Sequence, residues 1–261
     1  MAGTVHIVGA GLAGLSAAVR LAGMGWRTAV YESAGQAGGR CRSYFDQGFG
    51  AEIDNGNHLL LSGNAAAIDY LDLIGGLERL KGPPRAEFSF ADLATGERWT
   101  LSLDDGRWPA WIFDPARRVP GTKPADYLGA ARLLWAGRSQ TVGDVLNTGS
   151  RLYPKLWQPL MLAALNTDPR EGSARLAGAI VRNTLAKGGA ACRPLIAEGL
   201  AAAFVDPALF YLEARGTRVA FKMRLRAIAF DGDRASTLDF GASAVGLGED
   251  DAVILAVPPW V

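Results

Sequence analysis

Apolar and polar positions follow two periods along the chain, and the switches between them mark out its elements. Val5, Ile7 and Val8 form a short apolar run suited to a strand buried on both faces. A glycine-rich turn follows, then a helical period over residues 12–23 and a second short strand over residues 28–31. Residues 46–50 predict a turn, and the polar stretch 51–58 opens into Leu59-Leu60-Leu61. Asn64 is placed to cap a helix carrying Ile68, Leu71 and Ile74, which Gly75-Gly76 stops. After a Lys81-Gly82-Pro83-Pro84 linker, Phe88, Phe90 and Leu93, then Trp99, Leu101 and Leu103, alternate with polar neighbours. That spacing predicts two strands joined near Ala94-Thr95-Gly96, with Trp108, Trp111, Ile112 and Phe113 on a further hairpin or loop.

From Pro124 the period becomes helical. Tyr127, Leu128, Ala131, Leu134 and Trp135 share one predicted face, and Thr141 is placed to cap a short helix with Val145 and Leu146. The apolar stretch 152–165 is interrupted by Pro154 and Pro159. A helix with Leu176, Ile180, Val181 and Leu185 follows, closed by Gly188-Gly189. Residues 194–204 predict another helix. Residues 219–221 and 225–230 predict strands, and residues 252–257 a final apolar strand before Pro258-Pro259. The apolar middle block reads equally as an ordinary core, as a greasy chamber or as a patch resting on a membrane, because periodicity does not divide these.

The stretch between the first strand and helix carries the chemistry. Gly9-Ala10-Gly11-Leu12-Ala13-Gly14 is a G-x-G-x-x-G with a strand before it and a helix after it. The first glycine permits a tight turn, the second lets backbone approach a pyrophosphate, and the third lets helix and strand pack closely. The helix start then presents free amides and a positive dipole end to the phosphate. Glu32 ends the second strand, placed to accept from an adenosine ribose, and its charge disfavours a 2′-phosphate. Gly38-Gly39-Arg40 follows, a segment that an NAD domain does not need. The alternative reading is a surface loop with a solvated arginine.

Composition narrows the classes. The chain has 261 residues, long enough for two lobes, with 33 glycines that show no repeat period. Its formal net charge of +1 gives no reason to expect a nucleic-acid surface. Cys41 and Cys192 form no C-x-x-C and read as free thiols of a reducing cytoplasm. No signal peptide and no metal site are expected, and no apolar run reaches spanning length, so any membrane contact is expected to be peripheral.

The Gly38-Gly39-Arg40 segment resembles that of the FAD-containing amine oxidase and phytoene desaturase superfamily. The resemblance implies an α/β fold: a Rossmann-like FAD-binding domain of the GR2 type with an inserted α+β substrate domain. The expected layout is residues 1–80 and 194–261 for FAD and residues 81–193 for substrate. It implies that Gly9, Gly11, Ala13, Gly14, Glu32, Gly38, Gly39 and Arg40 contact FAD, Arg40 at the pyrophosphate. A D-x-G stretch at Asp54 and Gly56, with Asn57 and His58, is implied beside the flavin ring, and Leu225 beside the adenine. Leu225 reads equally as an ordinary strand residue. Asp54 and His58 are the candidate acids or bases, and a turn-bridging role fits His58 as well; Asp168 lies after a further informative stretch.

Three stretches are similar to the hydroxysqualene dehydroxylase family in particular. They are residues 54–61, Trp157-Gln158-Pro159-Leu160 with Ala164-Leu165-Asn166-Thr167, and residues 256–261. The implied substrate is a long isoprenoid, losing a hydroxyl reductively to give squalene in hopanoid synthesis. The resemblance also implies a chain truncated at its C-terminal V-P-P boundary, lacking a later Gly-Asp near the flavin. Another flavin amine oxidase or carotenoid desaturase, and a non-catalytic fragment or binding protein on the same fold, remain the alternatives.

Overall fold

A computed structural model describes residues 3–57 and 59–259. Along the chain run β1 (Thr4–Val8), α1 (Leu12–Gly23), β2 (Arg27–Tyr31), β3 (Ser43–Asp46), β4 (Ala51–Asp54), β5 (Leu60–Leu61), α2 (Ala65–Ile74) and β6 (Leu80–Lys81). Next come β7 (Glu87–Ala91), β8 (Arg98–Ser102), α3 (Pro124–Leu128), α4 (Val142–Val145), α5 (Gln158–Leu165) and α6 (Ala174–Asn183). The last are β9 (Pro194–Ala197), α7 (Asp206–Glu213), β10 (Val219–Ala220), β11 (Ala227–Asp231), β12 (Arg234–Asp239), β13 (Ala244–Gly246) and β14 (Ala252–Leu255).

The chain divides into two compact units. The first comprises the described residues up to 57, Ala66–Lys81, and the described residues from Ile196 onward. Its parallel sheet has the order β10-β2-β1-β14, so the strand ending at Tyr31 and the strand closing the chain both flank β1. α1 buries Gly14, Leu15, Ala18 and Val19. Leu238 of the antiparallel sheet β11-β12-β13, with Phe240 and Leu247 just past β12 and β13, joins a core shared with Val8 and Tyr31. β3 and β4 form a hairpin, with Ser43 opposite Asp54.

The second unit comprises Leu59–Ala65 and Gly82–Leu195. β7 and β8 pair as a hairpin in which Phe90 stacks on Trp99 at 5.4 Å. Its core gathers Leu133, Val142, Leu152, Tyr153, Leu156, Trp157, Met161 and Val181. Thr141 caps α4 reciprocally: its Oγ1 accepts from the Asp144 amide at 3.2 Å, and the Asp144 carboxylate accepts from the Thr141 amide at 2.8 Å.

Several elements depart from the expected pattern, each for a local reason. Residues 194–197 form a strand rather than the start of a helix, because they pair antiparallel on both sides, Pro194 and Leu195 with Leu61 and Leu60 of β5, and Ile196 and Ala197 with Lys81 and Leu80 of β6; the helical run begins only at Ala201. That run opens as a π-turn, Ala201–Val205, and continues through Phe210, Tyr211 and Leu212. A second π-turn, Tyr153–Trp157, opens α5. In both cases a proline stands two residues past the π-turn, Pro159 and Pro207. Its ring has no N–H for the carbonyl four residues earlier and pushes that turn wider. Residues 129–135 are a 3-10 helix, so burial falls at a spacing of three, on Tyr127, Ala130 and Leu133. Leu128 and Trp135 of the expected face are exposed instead. Trp111, Ile112 and Phe113 likewise sit on a 3-10 turn, Ala110–Phe113. The strand expected from Leu225 begins at Ala227.

Candidate functional site

The glycine turn is built by backbone approaching backbone. Gly9 adopts φ +105°, and its amide donates to the Tyr31 carbonyl at 2.7 Å. A Cβ on Gly14 would lie 1.8 Å from the Gly9 carbonyl oxygen, so any side chain there would force α1 off β1. Gly11 differs: a Cβ there would meet nothing within 4 Å. It also takes the N-cap position of α1 without a side-chain cap, and Leu12 and Ala13 of the first turn are exposed. The turn therefore presents uncapped amides to an open side, the arrangement that accepts a phosphate.

The second glycine pair docks on the first. The Gly38 amide donates to the Ala10 carbonyl at 2.8 Å, and Gly38 forms an isolated parallel bridge with Gly11. Both glycines have positive φ, +100° at Gly38 and +58° at Gly39, and a Cβ on Gly39 would stand 3.3 Å from Gly11 Cα. Two glycine stretches separated by more than twenty residues thus form one cradle.

Glu32 faces this cradle and is buried. One carboxylate oxygen accepts from the Ala10 amide at 2.8 Å; the other accepts from the Ala34 amide at 2.8 Å and the Ser33 hydroxyl at 3.1 Å. A carboxylate has about four lone-pair sites, so one is left for a ligand hydroxyl. Residues 220–223 frame it. The Glu32 amide donates to the Ala220 carbonyl at 2.9 Å, and the Met223 amide donates to the Glu32 carbonyl at 2.8 Å. Lys222 there adopts φ +60°, a left-handed conformation at a non-glycine residue that the sequence did not signal. Leu225 lies just past this frame and packs against the core of Tyr31, Leu238 and Phe240.

The remaining candidates sort differently. Arg40 is exposed, and its carbonyl accepts from the Asn55 side chain at 3.1 Å. Gly56 has φ +142°. Asn57 donates to the Asp54 carboxylate at 2.7 Å and to the Ala197 carbonyl at 2.9 Å. Asp54 also accepts from the Ser43 hydroxyl at 2.6 Å and the Leu200 amide at 2.8 Å. His58 lies outside the described residues. Asp168, in the second unit, accepts from the Arg170 amide at 2.9 Å within its own turn. Cys41, just past the cradle, has its thiol pushed up to about 11 by burial and by the Asp54 charge.

His6 of β1 is buried beside Tyr31, with the rings stacked at 6.0 Å. Its Nδ1 is 3.0 Å from the Tyr31 hydroxyl and its Nε2 is 3.5 Å from Asp251. Burial, and secondarily the Asp251 charge, raise the Tyr31 hydroxyl above its ordinary value. Both cysteines are free. Among the described residues no group of three or more His, Cys, Asp or Glu is placed to hold a metal.

A strand–glycine turn–helix with an acid at the end of the next strand defines a dinucleotide-binding α/β protein, and the open side at Gly11 fits a diphosphate. The chain belongs to the flavin-containing amine oxidoreductases, whose family pattern matches residues 12–261, and its cofactor is FAD. It is 56% identical over 261 residues to a hydroxysqualene dehydroxylase of Rhodopseudomonas palustris, covering 99% of this chain and 62% of that protein. It is 53% identical over 256 residues to one of Sinorhizobium fredii, covering 98% and 61%. The chain thus spans about three fifths of the length of these curated relatives. Its fold is shared with an oxidoreductase structure from Methanosarcina mazei, with a TM-score of 0.63 at 16% identity, covering 97% of this chain and 58% of that one.

Proposed function

We propose that this chain is the FAD-binding and substrate-facing part of an oxidoreductase that removes the hydroxyl of hydroxysqualene to give squalene, a step of hopanoid synthesis. The observation that carries the reading is identity of more than half the residues, across nearly the whole chain, to relatives bearing that enzyme's name. The first unit serves as the FAD domain. The amides at Gly11–Ala13 take the diphosphate, Glu32 takes the ribose, and Gly9, Gly14, Gly38 and Gly39 keep the approach clear. Arg40 reaches the pyrophosphate from the solvent side; Gly56 and Asn57 lie toward the ring and Leu225 toward the adenine.

When bound and reduced, the flavin supplies the hydride that replaces the departing hydroxyl. The hydroxyl leaves as water after taking a proton, and a neighbouring double bond spreads the developing positive charge. The second unit serves as the substrate domain: its apolar residues orient a thirty-carbon chain and exclude water.

Contact with a membrane surface is part of the reading. Trp108, Phe113, Leu128 and Trp135 of the second unit are all exposed, with Trp108 and Phe113 stacked at 6.4 Å. No helix among the described residues is long and apolar enough to cross a membrane. The proposed location is the cytoplasmic side, peripheral at the membrane surface.

The test is uptake of FAD by the purified chain, followed by incubation with reductant and hydroxysqualene and analysis of the extracted lipid. The expected result is a flavin spectrum and a squalene product. A chain that takes up no FAD, or a flavin-loaded chain that leaves hydroxysqualene intact while oxidising an amine or desaturating a carotenoid precursor, overturns the reading.

A further inference from the structure

The carboxylate of Asp54 sits at the crossing of two sets of contacts that the dinucleotide motif does not explain. Ser43 and Asp54 are directly opposite in the β3–β4 hairpin, and the Ser43 hydroxyl donates to Asp54 Oδ1 at 2.6 Å. Together they receive the first amides of the helical run that follows β9: Leu200 donates to Asp54 Oδ1 at 2.8 Å, and Ala201 donates to Ser43 Oγ at 2.9 Å. Asp54 Oδ2 accepts from Asn57 Nδ2 at 2.7 Å, and that amide's other hydrogen goes to the Ala197 carbonyl at 2.9 Å.

The π-turn that begins at Ala201 ends against the second glycine pair. A Cβ on Gly38 would lie 2.9 Å from Val205 Cγ2, so Val205 backs that loop directly. The buried Tyr70 hydroxyl holds the turn from the other side, donating to the Phe204 carbonyl at 2.8 Å. Gly38 in turn is bonded to Ala10 beside the first glycine turn. One line of contact therefore runs from Asp54 through Leu200–Val205 to Gly38 and Gly11. A shorter line runs from Asp54 through Asn57 to Gly56.

We propose that Asp54 is a positioning residue of the flavin cradle, a latch that fixes the Gly38-Gly39 loop and the Gly56-Asn57 turn relative to each other, and not a proton donor. Three donors converge on its carboxylate, Ser43 and Leu200 on one oxygen and Asn57 on the other, so it serves as the acceptor that ties these segments together. This inference rests on the FAD reading above.

The test is titration with FAD, followed by flavin fluorescence and the shape of the visible band, alongside melting of the unliganded chain. Asp54→Asn keeps an oxygen for Ser43 and Leu200 and turns the other position into a donor facing Asn57. It is expected to weaken FAD binding about two- to tenfold and alter the band shape, with melting nearly unchanged. Asn57→Ala, which cuts the same contact from the other side and serves if Asp54→Asn does not fold, is expected to do likewise. The double variant is expected to be no weaker than the worse single one. Unchanged FAD affinity in the single variants, or full addition of their losses in the double, overturns the latch while leaving the FAD reading intact. Failure of the unaltered chain to take up FAD overturns the FAD reading and the latch together.

Discussion

In the first unit the decisive contacts run between backbones: Gly14 against the Gly9 carbonyl, Gly39 against Gly11, the Gly38 amide on the Ala10 carbonyl. In the second they run between side chains, around Leu152, Tyr153, Trp157 and Met161. Backbone approach tolerates almost no substitution, because there is no rotamer through which an added atom can escape. A side-chain core tolerates exchange at constant volume, because neighbours repack. Function concentrated on the first kind of contact leaves a motif in the sequence; function resting on the second leaves only a greasy average.

The sharpest way to break this contrast is Gly14→Val. The added atoms meet the Gly9 carbonyl with nowhere to go, so we expect loss of folded protein, more than about 4 kcal/mol, read by urea denaturation. A variant that folds and binds FAD normally would show that the turn can relax. Met161→Ala, fully buried in the second core, is expected to cost about 2–5 kcal/mol, whereas Met161→Leu is expected to cost less than about 1.5 kcal/mol. Equal losses for the two would show that the second unit is as intolerant as the first.

Glu32→Ala tests the polar edge of the cradle. We expect FAD affinity to fall by about ten- to a hundredfold, the scale of a hydrogen bond to a charged group. Unchanged flavin content would remove the ribose role. Thr141→Ala removes one half of the α4 capping box and is expected to cost about 1 kcal/mol in thermal or urea unfolding, with no effect on FAD.

The smallest expected effect is electrostatic. The Thr4 and Gly248 amides hold the Asp251 carboxyl below the usual carboxylate range. A depressed folded value stabilises the fold above the ordinary carboxylate pKa, and that contribution fades as pH falls through the lower folded value. The difference in melting temperature between the unaltered chain and Asp251→Asn is therefore expected to shrink on acidification below about pH 4. A difference constant from pH 7 to pH 3 would remove this role for its charge.

The sequence by itself determined the strand–turn–helix–strand unit, the acid at position 32 and the need for glycine at positions 9 and 14. A positive φ and a sub-contact approach leave no other residue a place, so the requirement is local and visible. It also determined the capping of α4 by Thr141, another short-range hydrogen bond. Tertiary structure alone decided that Gly38 and Gly39 sit on Gly11, that residues 220–223 frame Glu32, and that Asp54 faces Ser43, Asn57 and Leu200. Asp54–Asn57 aside, these contacts join residues eleven to nearly two hundred apart, and no periodicity records which distant amide a carboxylate will meet. The start of the late helix followed the same rule. The apolar spacing of residues 194–204 suits one helix, but the strand at 194–197 is fixed by its pairing with β5 and β6, and the π-turn by a proline whose effect reaches back a full turn.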